Sequence, residues 1–432
     1  MGNVAFSLFF SFIDCLMAYK KPCHTDKAVS IINGSGCPSK WASLPVSFDV
    51  LDKLVEPIDH VRFAAVCKGW CLLSKEYNQT TGRWRKVLPM LMIPTKSSQE
   101  EDNSETNQCI VYSVYEGHIF NNIQLSVCDG QKYCGSSHGW LAVVDQGLDY
   151  LYVTLMDPFR KYVAPINLSG IDYYDLNPDQ EDNYMTEDRY MNYLPKVILS
   201  ADPYLKPKDY WVVLFYQTNL RLCFHKAGQT YWSCCKFKEI TCISDAVFYK
   251  GQVYTVGTRG KIVLFDIKSK IKHPRVPKAT RLTGSVFERS ARKAYLVEST
   301  EGDLWHVRRT VKRKEGCDGT LTDSFQVYKV VFDKKDRSIV EQVEVKSIGD
   351  EALFVGDNHS MSFLASNFAG CQPNSIYYTC DLLHFQHPER RPFDMAVYNL
   401  ENETITPFYS LTSWQKGNPR AAWICPQFNG LC

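Results

Sequence analysis

From about Cys109 to the C-terminus the sequence is a succession of short β-type runs split by turn residues, and no long helical stretch interrupts them. Aromatic side chains, which pack well on a pleated surface, are abundant: 25 Tyr, 23 Phe and 9 Trp. Sequential antiparallel meanders predict a mainly β fold, a β-propeller of about six blades, preceded by a small α-helical segment. A β-sandwich is the alternative arrangement of the same strands.

Gly139–Val144, Tyr150–Met156 and Lys161–Val163 are strand-like and separated by Asp145-Gln-Gly and Asp157-Pro-Phe. Tyr210–Tyr216, Leu220–His225 and Tyr231–Cys234 repeat the arrangement. So do Ala246–Tyr249, Val253–Val256 and Ile262–Phe265, around Lys250-Gly251 and Thr258-Arg-Gly260. Ala294–Glu298, Asp303–Val307 and Phe325–Phe332 continue the series. Ile243-Ser-Asp-Ala-Val-Phe and Ile348-Gly-Asp-Glu-Ala-Leu-Phe share an Ile-small-Asp lead into an apolar run, which reads as a repeated blade opening. Pairing of Ala421–Cys425 with Ile110–Tyr115 would close the ring with strands from both ends and remove free sheet edges. The acidic, tyrosine-rich insertion Ile171–Tyr190 reads as a solvated loop.

Two helical stretches come before these strands. In Ser47–Val55 a serine placed as an N-cap precedes Val50, Leu51, Leu54 and Val55, which share one face at helical spacing. Pro57 marks a break, and from Asp59 the residues Phe63, Val66, Cys67 and Trp70 define a second apolar stripe that fades beyond Leu73. The polar run Ser97–Asn107 has few apolar anchors and reads as an exposed linker. At the N-terminus, Val4–Phe12 is apolar but too short to span a bilayer and lacks the basic residues that open a signal peptide. The expected organisation is a disordered extension over 1–40, a helical unit over 41–86, a linker over 87–108 and a propeller over 109–425.

Hydrophobic residues make up 45% of the chain and charged residues 22%, ordinary values for a folded soluble protein. A net charge of +2 supplies no broad field, so neither nucleic acid nor a membrane is expected as partner. Seventeen cysteines, an odd number without a short-spaced framework, read as free thiols in a reducing compartment, the cytoplasm or the nucleus. Cys223 with His225, and the Cys234-Cys235 doublet, lack the spacing of a tetrahedral zinc site, so no metal or other cofactor is expected.

Gly135-Ser-Ser137-His-Gly139 matches the nucleophile-elbow pattern of serine hydrolases, with Ser137 as the nucleophile. That elbow needs a following helix, whereas Trp140-Leu-Ala-Val-Val144 reads as a strand, so a tight turn is the simpler reading. The basic run His306–Lys314 reads as a solvated hairpin, with an acidic partner or a nuclear-import signal as the alternative.

Trp41-Ala-Ser-Leu-Pro45 and Ile58-Asp-His-Val-Arg-Phe-Ala-Ala-Val-Cys-Lys-Gly-Trp70 resemble an F-box. Downstream, Cys134-Gly-Ser-Ser-His-Gly-Trp-Leu141, Val247-Phe-Tyr-Lys-Gly-Gln-Val-Tyr254, Gly349-Asp-Glu-Ala-Leu-Phe-Val-Gly356, Asn374-Ser-Ile-Tyr-Tyr-Thr379 and Ala396-Val-Tyr-Asn-Leu400 resemble the KIB-type, sometimes kelch-like, propeller of plant F-box proteins. The two resemblances span about residues 41–425. Three departures stand out: Pro45–Asp59 is short by a residue or two, Cys71 occupies a position where arginine is common, and Asp157-Pro158 replaces Asn-Pro.

The resemblance implies a non-catalytic substrate-recognition subunit of an SCF-type (Skp-cullin-F-box) ubiquitin ligase. A Skp-type adaptor, and through it a cullin, would dock on Leu44, Pro45, Val50, Leu51, Leu54, Ile58, Val66, Cys67 and Trp70, while the propeller binds a target protein that the sequence does not name. Residue chemistry points the same way, because these side chains supply more apolar surface than two short helices bury alone. A propeller scaffold whose shortened F-box does not engage the adaptor is the alternative, and a serine hydrolase acting through Ser137 the remote one.

Overall fold

The computed structural model describes residues 48–53, 63–64, 66–81, 88–95, 108–113, 118–124, 131–147, 149–158, 163–172, 195–216, 221–236, 242–267, 278–282, 291–313, 320–333, 339–368, 370–381, 394–407 and 421–425. It divides into two compact units, Met1–Leu88 with Asn367–Ala369 and Gln427–Cys432, and Pro89–Ser366 with Gly370–Pro426.

In the first unit, helix α1 (Phe48–Lys53) begins one residue after Ser47, the position expected of its cap, and helix α2 spans Lys68–Thr81. Leu51, Phe63 and Tyr77 form its small core, with Phe48, Trp70 and Leu73 packed against them. Phe63 stacks on Trp70 at 4.5 Å between ring centroids, and Phe48 meets Tyr77 edge-on at 5.2 Å. This inward tyrosine explains why α2 runs on past Leu73 into the polar Lys-Glu-Tyr-Asn-Gln-Thr-Thr: Tyr77 is buried and extends the apolar stripe.

The second unit is a ring of six sheets. Strands β1 (Met90–Thr95), β2 (Gln108–Ser113) and β3 (His118–Gln124) begin the first blade. The second holds β4 (Lys132–Ser137), β5 (Trp140–Gln146), β6 (Tyr150–Met156), β7 (Ile166–Asn167) and β8 (Ile171–Asp172); the third holds β9 (Lys196–Leu199), β10 (Trp211–Phe215), β11 (Arg221–Lys226) and β12 (Ser233–Lys236). In the fourth are β13 (Ile243–Tyr249), β14 (Gln252–Gly257), β15 (Ile262–Asp266) and β16 (Lys278–Leu282), and in the fifth β17 (Ala291–Glu298), β18 (Leu304–Arg313), β19 (Thr320–Phe332) and β20 (Ile339–Val345). The sixth comprises β21 (Glu351–Val355), β22 (Met361–Leu364), β23 (Ser375–Tyr378), β24 (Ala396–Asn399) and β25 (Thr404–Thr406), after which β26 (Ala422–Ile424) returns to the first blade.

Each blade buries its faces only against its neighbours, which fixes the residue pattern. On β6 the period of two is plain, with Leu151, Val153 and Leu155 buried and Tyr150 and Tyr152 exposed. Nearer the axis, where both faces are covered, β9 and β21 are buried throughout, and after Lys196 and Glu351 their sequences read as unbroken apolar runs. Val144, Leu155, Leu199 and Leu214 belong to the layer between blades two and three; Tyr295, Val297, Leu353 and Ile376 belong to that between five and six. Hairpins at His138-Gly139 and Lys250-Gly251 have positive φ at both turn residues (52° and 80°, 48° and 73°), the geometry of a two-residue turn matched to strand twist.

Strands from both ends do share one blade, but the partner differs from the expected one. β26 pairs with β1 (Met90↔Ile424, Leu91↔Trp423, Met92↔Ala422), and β1 lies between it and β2. The segment 87–108, read as linker, therefore contributes a central strand of the closing blade. Pro94 hid it, since proline cannot donate to a ladder; the structure accommodates Pro94 where β1 has run past the end of β26. The two Ile-small-Asp leads also differ in place: Ile243 opens the inner strand β13, whereas β21 is second in its sheet, flanked by β22 and running parallel to β23.

Among the described residues, cysteine usage departs from the all-thiol expectation at one pair. Cys223 and Cys234 sit directly opposite each other on β11 and β12 and form a disulfide. The basic run is likewise not a solvated hairpin throughout: His306, Arg308 and Arg309 are fully buried in β18, whereas Lys312 and Arg313 are exposed. Lys161–Val163 lies mostly outside the described residues, and the blade's outer strand is instead β7 with β8.

Ring closure rests on Trp423, fully buried and edge-on to Phe354 of the sixth blade at 5.0 Å. Trp423→Ala is expected to cost about 3–5 kcal/mol by leaving a cavity at the seam, read as a lower urea midpoint for the propeller. An unchanged midpoint would contradict closure by this strand.

Candidate functional site

Of the residues assigned to adaptor docking, Leu44, Pro45, Leu54 and Ile58 lie outside the described residues. Leu51 is fully buried in the core of the helical unit, and Trp70 is half-buried against Phe63. Val50 and Val66 are exposed, at 42% and 41%, and Cys67 is half-buried. Leu72, which the periodicity did not single out, is at 65% the most exposed large apolar residue among those described in the unit. Among the described residues the unit thus has an inward set (Leu51, Phe63, Tyr77) and an outward set (Val50, Val66, Leu72) that another molecule can reach without unfolding.

The axis of the ring is occupied by the chain itself. Inner strands β26, β4, β9, β13, β17 and β22 lie side by side in that order around it, and residues 356–360, between β21 and β22, reach across to the other blades. The Gly356 carbonyl accepts from Lys196 Nζ on β9 at 2.9 Å, His359 N–H donates to the Ser136 carbonyl on β4 at 2.8 Å, and the Ser360 hydroxyl donates to Asp245 Oδ2 on β13 at 2.9 Å. Lys196 also pairs with Asp245 Oδ1 at 2.6 Å, both side chains being almost fully buried. Glycine is required where these strands converge: a Cβ on Gly135 would sit 2.7 Å from the Val197 carbonyl, and one on Gly356 would collide with Thr379 Oγ1.

A second buried polar cluster joins blades five and six. Arg309 of β18 donates from Nη1 to Asp381 Oδ1 and from Nη2 to Asp394 Oδ2, both at 2.8 Å, from Nε to Thr322 Oγ1 at 2.8 Å and from Nη1 to the Thr379 carbonyl at 3.0 Å. Its guanidinium lies 4.6 Å from the Tyr378 ring centroid. Lys293 reaches Asp381 Oδ2 at 3.1 Å. Burial alone would raise the Asp381 carboxyl, but Lys293 and Arg309 overcome it and hold the group below the usual carboxylate range. Burial raises the Tyr295 phenol beside it, keeping it neutral.

Ser137 is built as a strand residue. It ends β4 opposite Trp140, with His138 and Gly139 forming the two-residue turn, so the serine-glycine pattern is a hairpin and not a strand-to-helix elbow. Its hydroxyl accepts from Leu199 N at 3.1 Å and donates to Leu199 O at 3.3 Å, which ties blade two to blade three. Among the described residues no three His, Cys, Asp or Glu side chains are grouped to hold a metal ion, and no helix is long and apolar enough to cross a membrane.

The described residues thus form a six-bladed propeller and, in the other unit, helices α1 and α2. The chain belongs to the KIB1-4 beta-propeller family, whose profile matches residues 111–399. A putative F-box protein of Arabidopsis thaliana is 22% identical over 402 residues, covering 90% of this chain and 98% of that protein. An F-box protein of the same plant is 25% identical over 406 residues, covering 91% and 99%, and another 25% over 244 residues, covering 56% and 66%. Among solved structures, TolB from Acinetobacter baumannii is similar at a TM-score of 0.37 and 12% identity, over 82% of this chain and 72% of that one. The resemblance to plant F-box proteins with a KIB-type propeller is thereby borne out.

The buried histidines give this fold a pH signature. Burial lowers His306 to about 4, although its Nδ1 meets Gln342 Oε1 at 2.6 Å, and burial with His138 and Lys196 nearby lowers His359 to about 3. The unfolded state takes up protons below about pH 6.5 while the folded state does not, so stability falls as pH drops through 6.5 towards these values. Each histidine is expected to cost about 2 kcal/mol at pH 5 relative to pH 7. His306→Gln should remove one such share from the difference between urea unfolding curves at the two pH values; an unaltered difference would contradict a buried neutral His306.

Proposed function

We propose that this protein is the substrate-recognition subunit of an SCF-type ubiquitin ligase: the helical unit docks a Skp-type adaptor, and through it a cullin, while the propeller holds the protein to be modified. The observation that carries the reading is the outward apolar set Val50, Val66 and Leu72, displayed by a unit whose core is already filled by Leu51, Phe63 and Tyr77. Large apolar side chains left exposed on a small unit suit a binding surface. Relatives named as F-box proteins that match this chain over both units support the same assignment.

In this reading the chain performs no chemistry. It holds the target near the charged ubiquitin-carrying enzyme and raises the effective concentration of its lysines there, while transfer is done by other subunits. A net charge of only +2 suits a role, in the cytoplasm or the nucleus, that depends on specific contacts and not on nucleic acid or membrane. Ser137, held between blades, is a structural residue.

Val66→Asp with Leu72→Asp should weaken co-precipitation of the Skp-type adaptor more than tenfold, since two desolvated apolar contacts at about 1–2 kcal/mol each are replaced by charges. The melting temperature should change little, because both side chains are exposed. Leu51→Ala should instead unfold the helical unit. Undiminished adaptor capture by the double variant would contradict docking on this face.

A further inference from the structure

The β9–β10 and β11–β12 connections of the third blade leave the sheet side by side. Trp211, first in β10, pairs with Lys226, last in β11, and Ala227 N–H donates to the Tyr210 carbonyl at 2.9 Å. Residues 200–210 form a braced turn. The Asp202 carboxylate, 6% exposed, accepts Tyr204 N–H at 2.9 Å and Trp140 Nε1–H from the second blade at 2.8 Å, while its carbonyl accepts the N–H groups of Leu205 and Lys206 at 3.1 and 2.9 Å. So braced, the turn holds Tyr204 and Leu205 outward at 41% and 53% exposure, and Tyr231 on the adjoining connection stands out at 45%. Gln229 Nε2 reaches the Tyr231 hydroxyl at 3.4 Å.

Large side chains displayed on a backbone that needs no reordering bind at low entropic cost, and tyrosine is enriched at interface hot spots. The charges around them are mainly positive, Asp209 being the one exposed carboxylate among the described residues of the two connections. Lys206 and Lys208 are exposed and Lys226 lies 5.6 Å from the Trp211 ring, whereas Asp202 is consumed by the turn. We propose that this end of the third blade is a docking surface for an acidic segment of a partner protein bearing apolar side chains, which seat against Tyr204, Leu205 and Tyr231. The proposal rests on the receptor reading only in taking that partner to be the ligase target.

The test pans a random peptide display library against the full chain and measures enriched peptides by fluorescence anisotropy on wild type, Tyr204→Ala/Leu205→Ala and Lys206→Glu/Lys208→Glu. Enriched peptides should combine Asp or Glu with Leu, Phe or other apolar residues and lose about tenfold in affinity on either variant. No enrichment, a neutral or basic consensus, or affinity unchanged by either variant would overturn the proposal. Adaptor binding, measured on the same proteins, separates the two readings: both variants should retain it, and a wild-type chain that captures acidic peptides but no adaptor would keep this surface and remove the receptor role.

Discussion

Everything in the propeller depends on the ring being closed. A single blade has two faces and covers neither, so its apolar residues are buried only when a neighbour stands on each side. The continuous burial of β9 and β21 and the alternating burial of β6 are consequences of position in that ring. Closure itself is made by three residues of β26 against β1, joining parts of the chain more than 300 positions apart (Met90↔Ile424). Such non-local pairing is slow to form and stabilises nothing until the intervening blades are in place, which makes the seam the least redundant part of the fold.

Polar interactions add register to this apolar arrangement. Six side chains that would prefer water, Lys196, Asp245, Lys293, Arg309, Asp381 and Asp394, are buried between blades, and each has a partner of opposite charge. Removing charges from water is costly, and a buried pair is weak grounds for added stability. Its value here is geometric. Asp245 accepts from Lys196, Ser360 and the Leu296 N–H, so one carboxylate ties together blades three to six. Arg309 holds Asp381 and Asp394, which bracket residues 382–393 in sequence, to a single guanidinium.

Much of this was legible from residue order, and the failures have physical causes. Strands with a covered face announced themselves by aromatic and branched residues, and the Lys250-Gly251 turn by its glycine. β16 (Lys-Ala-Thr-Arg-Leu) and β20 (Ile-Val-Glu-Gln-Val-Glu-Val) carry the polarity of outer strands and were not recognised as strands. The run holding the buried Arg308 and Arg309 reads as solvated because charge in a one-dimensional sequence carries no sign of the partners of Arg309, Asp381 and Asp394, some 70 to 85 residues away. In the helical unit, periodicity identified the apolar residues but could not divide those facing the core from those facing outward. Leu51, expected on the docking face, lies in the core, and Leu72, which the spacing passes over, is exposed.

In the proposed role two separable binding surfaces belong to two units of one chain, the helical unit giving access to the ligase and the propeller giving selectivity. Mixing the purified full-length protein with a Skp-type adaptor and measuring the mass of the eluting complex by light scattering tests this most directly. The account predicts a stable one-to-one complex in which the propeller keeps its own melting transition. Separate elution of the two proteins at micromolar concentration would contradict it.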